Sequence, residues 1–167
     1  MNRRTFLAGS IGALGLGAVA LIAHSAQDVV AVDLTPPPTF KLTDAQWRQR
    51  LGPERYAVLR QAATEPPFSS PLDHEDRAGI YRCAGCELPL YSSNTKFDSG
   101  TGWPSFWQPL PRAIATRQDT SLMMVRTEVL CRRCAGHLGH VFDDGPRPTG
   151  LRYCMNGLAL HFVPAAA

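Results

Sequence analysis

The sequence predicts a mainly β domain of antiparallel sheets preceded by short N-terminal helices, and three observations carry that reading. Past Phe68 the chain alternates short β-prone runs with turn residues, the pattern of hairpin-connected strands. The 14 glycines and 14 prolines exceed ordinary usage, so turns are frequent. Two Cys-x-x-Cys pairs, Cys83/Cys86 and Cys131/Cys134, stand far enough apart to tie distant strands together. With 167 residues, 44% of them hydrophobic, the chain is long enough for one cored domain and is not a disordered polymer.

The first element is a leader. Arg3 and Arg4 stand directly before Thr5-Phe6-Leu7 and an apolar run that lasts to Ala23, so residues 1–25 resemble a twin-arginine export signal. Gly9, Gly12, Gly15 and Gly17 keep that run weakly hydrophobic, which disfavours a permanent anchor, and Ala23-His24-Ser25 offers small residues for cleavage before Ala26. The expected destination is therefore the bacterial periplasm, reached through the twin-arginine export machinery, with a tether to the outer face of the inner membrane if the leader stays uncut. Without Arg3 and Arg4 the charges are 15 basic against 14 acidic. That balance supplies no basic stripe for a phosphate backbone, so no nucleic-acid partner is expected.

Residues 26–41, with the triplet Pro36-Pro37-Pro38, read as a linker, and residues 42–164 as the folded domain. Thr43-Asp44-Ala45-Gln46 has the capping-box pattern, and Trp47 and Leu51 lie one helical turn apart. Gly52-Pro53 should then stop one short helix and start another that runs through about Ala62. Glu65-Pro66-Pro67-Phe68 breaks helix. The strand-like runs are Ile80 to Arg82, Leu122 to Val129, His140 to Phe142 and Leu151 to Phe162.

Five cysteines leave an odd sulfur. Cys83, Cys86, Cys131 and Cys134 form two knuckles that can together offer four thiolates to one structural zinc, the tetrahedral set such an ion takes. Other readings of the knuckles are disulfides, a redox pair, or a site in which His137 replaces one cysteine. Under the zinc reading Cys154 is the one free thiol. On a strand, Arg152, Cys154 and Asn156 would share a face, and a guanidinium beside a thiol favours thiolate; a buried structural cysteine is the alternative. Gly136-His137-Leu138-Gly139-His140 brings two imidazoles able to donate protons near neutral pH, or simply two structural histidines. In Ser99-Gly100-Thr101-Gly102-Trp103-Pro104-Ser105-Phe106-Trp107, glycine-bounded aromatics can line a pocket for a small apolar group or fill core.

Taken together, Tyr81 to Cys86, Lys96 to Phe106, Cys131 to Cys134, Gly136 to Phe142 and Arg152 to Asn156 resemble the B-type methionine sulfoxide reductase family over about Leu42 to Pro164. The resemblance implies a zinc-bearing antiparallel β fold, one structural zinc on Cys83, Cys86, Cys131 and Cys134, and reduction of methionine (R)-sulfoxide, mainly in proteins. Carried over, Cys154 is similar to the nucleophile, His140 and His137 to the active-site imidazoles, and Arg152 and Asn156 to supporting polar groups. Trp103 resembles the wall that receives the methyl group, with Phe106 beside it in the substrate pocket. Many members carry a resolving cysteine where this chain has Thr101, so a thioredoxin-like or other dithiol reductant is expected to restore Cys154, with the enzyme acting as a monomer. Gly157 to Phe162 also departs from the commoner family wording, which bears on pocket polarity and substrate preference. Two rivals from other classes are a non-catalytic zinc-stapled binding module and a thiol-disulfide oxidoreductase on Cys83 and Cys86.

Overall fold

The computed structural model describes residues 40–166. The leader of residues 1–25 and nearly all of the linker lie outside the described residues.

The domain opens with α1 (Asp44–Gln61), which is two helices meeting at a kink, as the Gly52-Pro53 step requires. Gly52 takes φ 70°, a left-handed value that glycine adopts without a Cβ penalty, and Pro53 pre-sets the first turn of the second segment. The capping box forms: the Gln46 backbone N–H donates to the Thr43 hydroxyl at 3.3 Å, and the Thr43 N–H donates to Gln46 Oε1 at 2.8 Å. Trp47, Leu51, Tyr56, Val58 and Leu59 make the buried face.

Nine strands follow: β1 (Gly79–Cys83), β2 (Pro89–Ser92), β3 (Lys96–Phe97), β4 (Ser105–Phe106), β5 (Ile114–Asp119), β6 (Arg126–Cys131), β7 (His137–Phe142), β8 (Arg152–Met155) and β9 (Leu160–Pro164). They form a three-stranded sheet, β2-β1-β9, and a six-stranded sheet, β3-β4-β8-β7-β6-β5, with every pair antiparallel. The core lies where the two sheets face each other. Tyr91 stacks on Phe106 with centroids 4.4 Å apart, Tyr81 meets Phe106 edge-on at 4.9 Å, and the Tyr91 hydroxyl reaches Met155 Sδ at 3.2 Å. Such aromatic pairs add about 0.5–1.5 kcal/mol each beyond the area they bury.

Strand alternation sets the location of chemistry. Along β8, Tyr153 and Met155 point into this core, so Arg152 and Cys154 point to the opposite face. In β4, Phe106 points inward and Ser105 does not.

Two of the expected runs break. The first part of Leu122 to Val129 is a 3-10 turn, Ser121–Met123, and β6 begins only at Arg126. Met123 and Val125 are exposed there, so the apolar composition does not mark a buried strand. The run Leu151 to Phe162 divides into β8 and β9 around a 3-10 turn, Gly157–Ala159, because the Gly157 and Leu158 N–H groups turn toward the Glu65 carboxylate. Strand β5 went unread because Ala115-Thr116-Arg117-Gln118 is mostly polar and lies on a sheet edge.

Gly139 is a position of close approach. A Cβ there would fall onto the Cys154 carbonyl oxygen of the neighbouring strand, and φ of 156° adds to the restriction. Gly139→Ala should therefore destabilise the fold by roughly 1–3 kcal/mol, the usual cost of overpacking, and push β8 away from β7. Thermal unfolding checks this, and an unchanged midpoint would contradict it.

Candidate active site

Two centres stand on this scaffold, one of sulfur alone and one around a single thiol. The first joins the two sheets. Cys83 and Cys86 sit on the turn that leaves β1, and Cys131 and Cys134 on the turn between β6 and β7. The two turns are built alike. Glu87 N–H donates to Cys83 O and Ala135 N–H to Cys131 O, each at 2.8 Å, and Glu87 and Ala135 both take left-handed φ, 61° and 55°. The four sulfurs lie within 4.8 Å of one another, with Cys83–Cys134 at 3.7 Å and Cys86–Cys131 at 3.5 Å. A tetrahedral thiolate set with metal–sulfur bonds of about 2.3 Å has edges of about 3.8 Å, so these donors fit one metal ion. No cysteine is in a disulfide, and His137 is not a member of the cluster. Arg50, Arg60 and Arg133 donate to the carbonyls of Gly85, Cys134 and Cys86 at 2.7, 3.0 and 3.1 Å. These guanidiniums set positive charge beside a thiolate group that carries net negative charge even when metallated.

The second centre is a row across the six-stranded sheet. Register places Ser105 opposite Cys154, Cys154 opposite His140, His140 opposite Glu128, and Glu128 opposite Arg117. Directly opposed residues of antiparallel strands have Cβ atoms about 4.5–5.5 Å apart, so His140 and Cys154 are immediate neighbours. His137, three residues before His140, would face the other way in a regular strand. A register shift between Val129 and Leu130 turns it back, and its Nδ1 donates to Glu128 Oε1 at 2.7 Å. The two imidazole rings then meet edge-on, 5.5 Å apart.

Carboxylates hold both rings. His140 Nε2 donates to Asp119 Oδ2 at 2.8 Å, and Asp119 in turn accepts from the Ser121 N–H at 2.8 Å and from Arg126 at 2.6 Å. Ser121 first, then His140 and Arg126, hold the Asp119 carboxyl well below the usual carboxylate range. Burial pushes the His140 imidazole below its ordinary value, against the pull of Asp119. Burial alone would raise Glu128, but His137 and Arg117 outweigh it and keep that carboxyl low.

Cys154 borders a cavity of about 150 Å³ whose walls include Trp103, Phe142, His140, Arg126 and Asn156. Its Sγ is 3.8 Å from the Thr101 hydroxyl, and Ser99 links Thr101 to Ser105 through contacts of 2.8 and 2.7 Å. Burial pushes the Cys154 thiol above its ordinary value, and the opposing pulls of Thr101 and Arg152 are smaller. Arg152 does favour the Cys154 thiolate, as expected of a guanidinium beside a thiol, but burial outweighs it. The Arg152 guanidinium is engaged by Asp144 through two contacts of 2.8 Å and lies over the Phe142 ring.

A family model described as the SelR domain matches residues 51–164. The chain belongs to the SelR family. Relatives include proteins named Peptide methionine sulfoxide reductase MsrB from three bacteria. That of Agrobacterium fabrum is 53% identical over 133 residues, which cover 79% of this chain and 98% of the relative. That of Bradyrhizobium diazoefficiens is 57% identical over 123 residues, 73% of this chain and 88% of the relative. That of Leptospira interrogans is 52% identical over 121 residues, 72% and 92% of the two chains.

The SelR domain brings most of the sequence-read residues together, with two departures. Phe106 lies in the core between Tyr81 and Tyr91 and does not line the cavity, because strand alternation gives the site face to Ser105. Asn156 follows the end of β8 and is buried, its Oδ1 accepting from Glu65 N–H at 3.0 Å and its Nδ2 donating to Leu138 O at 3.2 Å. It does not continue a shared strand face with Cys154.

Sequence reading missed Glu65, Asp119, Arg126 and Glu128. Glu65 is buried, accepts the N–H groups of Gly157 and Leu158, and through its carbonyl receives the Trp103 indole N–H at 3.1 Å. It thereby pins the cavity wall. Glu128 carried a legible signal, an acidic residue inside the strand run Thr127-Glu128-Val129-Leu130. Asp119 and Arg126 carried none, since charged residues near a turn look alike in sequence whether or not the fold buries them.

Proposed function

We propose that this chain reduces methionine sulfoxide to methionine in proteins, acting on the R epimer, with Cys154 as nucleophile and His140 as proton donor. The observation that carries the reading is the direct opposition of His140 and Cys154 at a small, aromatic-walled cavity. A sulfoxide oxygen leaves poorly unless it is protonated as its bond to sulfur breaks, so nucleophile and acid must flank the same substrate atom pair. In this reading Trp103 and Phe142 enclose the methyl thioether, Asn156 and Glu65 fix the wall, and His137 and Asp119 orient the His140 ring. The net step moves the oxygen from the methionine sulfur to Cys154, leaving a thioether and a sulfenic acid, while two electrons pass the other way.

An external dithiol of thioredoxin-like type then reduces the sulfenic acid to thiol, forming its own disulfide and water. Support for this is that the other four cysteines are gathered in one cluster of their own. That cluster suits one structural zinc, which would bind the two sheets together without entering the reaction. We place the working enzyme in the bacterial periplasm, on the strength of the twin-arginine pattern of the leader, and read it as a monomer.

The deciding experiment offers a peptide carrying either sulfoxide epimer, with dithiothreitol as reductant. Loss of the R epimer alone is expected, and survival of both would leave only a binding module. The pH profile is a second check. The productive form pairs a Cys154 thiolate with a protonated His140. Burial moves the thiol above its usual 9.0 and the imidazole below its usual 6.5. The product of the two populations is then flat between the two pKa values and falls outside them. Thus kcat/KM should show a broad plateau, an acid limb below 6.5 and an alkaline limb above 9.0. A profile that only rises with pH would remove the imidazole from the role of acid.

A further inference from the structure

The described residues contain three methionines in two very different settings. Met155 is fully buried against Tyr91, whereas Met123 is 102% exposed and Met124 54% exposed, at the tip of the connection between β5 and β6. The tip is tied down at its base: Asp119 accepts from the Ser121 N–H, and Arg126 spans back to Asp119 and to the Ser121 hydroxyl at 3.2 Å. Met123 takes a left-handed φ of 56°, costly for a long side chain, and Met124 is extended at φ −124°, ψ 149°. Two thioethers are thus held out in solvent on a narrow turn, clear of the molecule's own cavity, whose walls contain neither.

We propose that Met123 and Met124 are a sacrificial pair: peroxide oxidises them first, and a second copy of this chain reduces them. This rests on the reading of the cavity as a methionine sulfoxide site. Peroxide transfers one oxygen to a thioether and leaves as water, taking two electrons from sulfur. Cys154 of the second copy then takes that oxygen as its sulfenic acid and restores the thioether, and a dithiol returns Cys154 to thiol with release of water. The reaction runs between copies because the tip stands in solvent and its own cavity does not receive it. Repair also has a local consequence. Met124 borders a groove of about 680 Å³ that Val125, Val141 and Tyr153 also line, where a sulfoxide would put a polar group on apolar surface.

The test uses Cys154→Ser protein, or wild-type protein alkylated at Cys154, as the material to be oxidised. After limited hydrogen peroxide, mass spectrometry of the tryptic peptide Gln118–Arg126, which holds both methionines, should show one or two added oxygens while Met155 shows none. Equal uptake at Met155 would overturn the proposal. Catalytic wild-type enzyme with dithiothreitol should then clear about half of the added oxygen, because peroxide yields both epimers and one enzyme acts on one epimer. Without wild-type enzyme the oxygen should remain. A short methionine (R)-sulfoxide peptide runs in parallel. If it is reduced while Gln118–Arg126 keeps its oxygen, the self-repair proposal fails and the functional reading stands; if neither is reduced, both fail.

Discussion

Replacement of Cys154 by serine should lower sulfoxide reduction by at least about a thousandfold, since a serine hydroxyl at that place is a far weaker nucleophile toward sulfur. The fold should survive. The side chain lies beside the Thr101 hydroxyl on the sheet face away from the aromatic core, and a serine oxygen there can exchange hydrogen bonds with Thr101 where the thiol does so only weakly. Steady-state rates with an R-sulfoxide peptide, read beside a thermal melt and metal analysis of the same preparation, separate chemistry from folding. Activity within tenfold of wild type would exclude Cys154 as the attacking atom.

Cys131→Ser should have the largest effect on stability. Apparent binding energies of structural zinc sites run to about 10–16 kcal/mol, comparable to the whole net stability of a domain at about 5–15 kcal/mol. Cys131 is fully buried, and its sulfur lies 3.5 Å from that of Cys86 on the other knuckle. A serine would break the four-sulfur set and place a hydroxyl among buried thiolates. Loss of bound metal and a collapse of the folded signal in circular dichroism are expected, and a chelator should reproduce both in the wild-type protein. A stable variant with full metal content would contradict the four-cysteine assignment.

The parts of this fold that were legible in the sequence are those governed by local rules. The Thr43 capping box and the Gly52 break depend on residues within one helical turn, and the paired knuckles advertise themselves by spacing. The resemblance assigns Cys154 and His140 to one site, but their direct opposition is not legible in the sequence, since register between β7 and β8 is a long-range fact. The inward turn of His137 depends on an irregularity in the β6–β7 pairing that no period-two reading contains. The pull of Arg152 on Cys154 is legible from their spacing and does favour the thiolate, whereas the burial that outweighs it is a tertiary fact. Phe106 reads as a pocket residue in sequence because the two faces of β4 cannot be told apart without knowing which sheet packs behind it.

Thr101 is one substitution from a different economy of turnover. Its hydroxyl already stands 3.8 Å from Cys154 Sγ, so a sulfur grafted onto that side chain would meet the spent catalyst in place. As the chain stands, under the mechanism proposed for it, the second half of each cycle is outsourced. Repair then proceeds no faster than the surrounding compartment can deliver electrons to the cleft, and the enzyme idles wherever that supply runs dry.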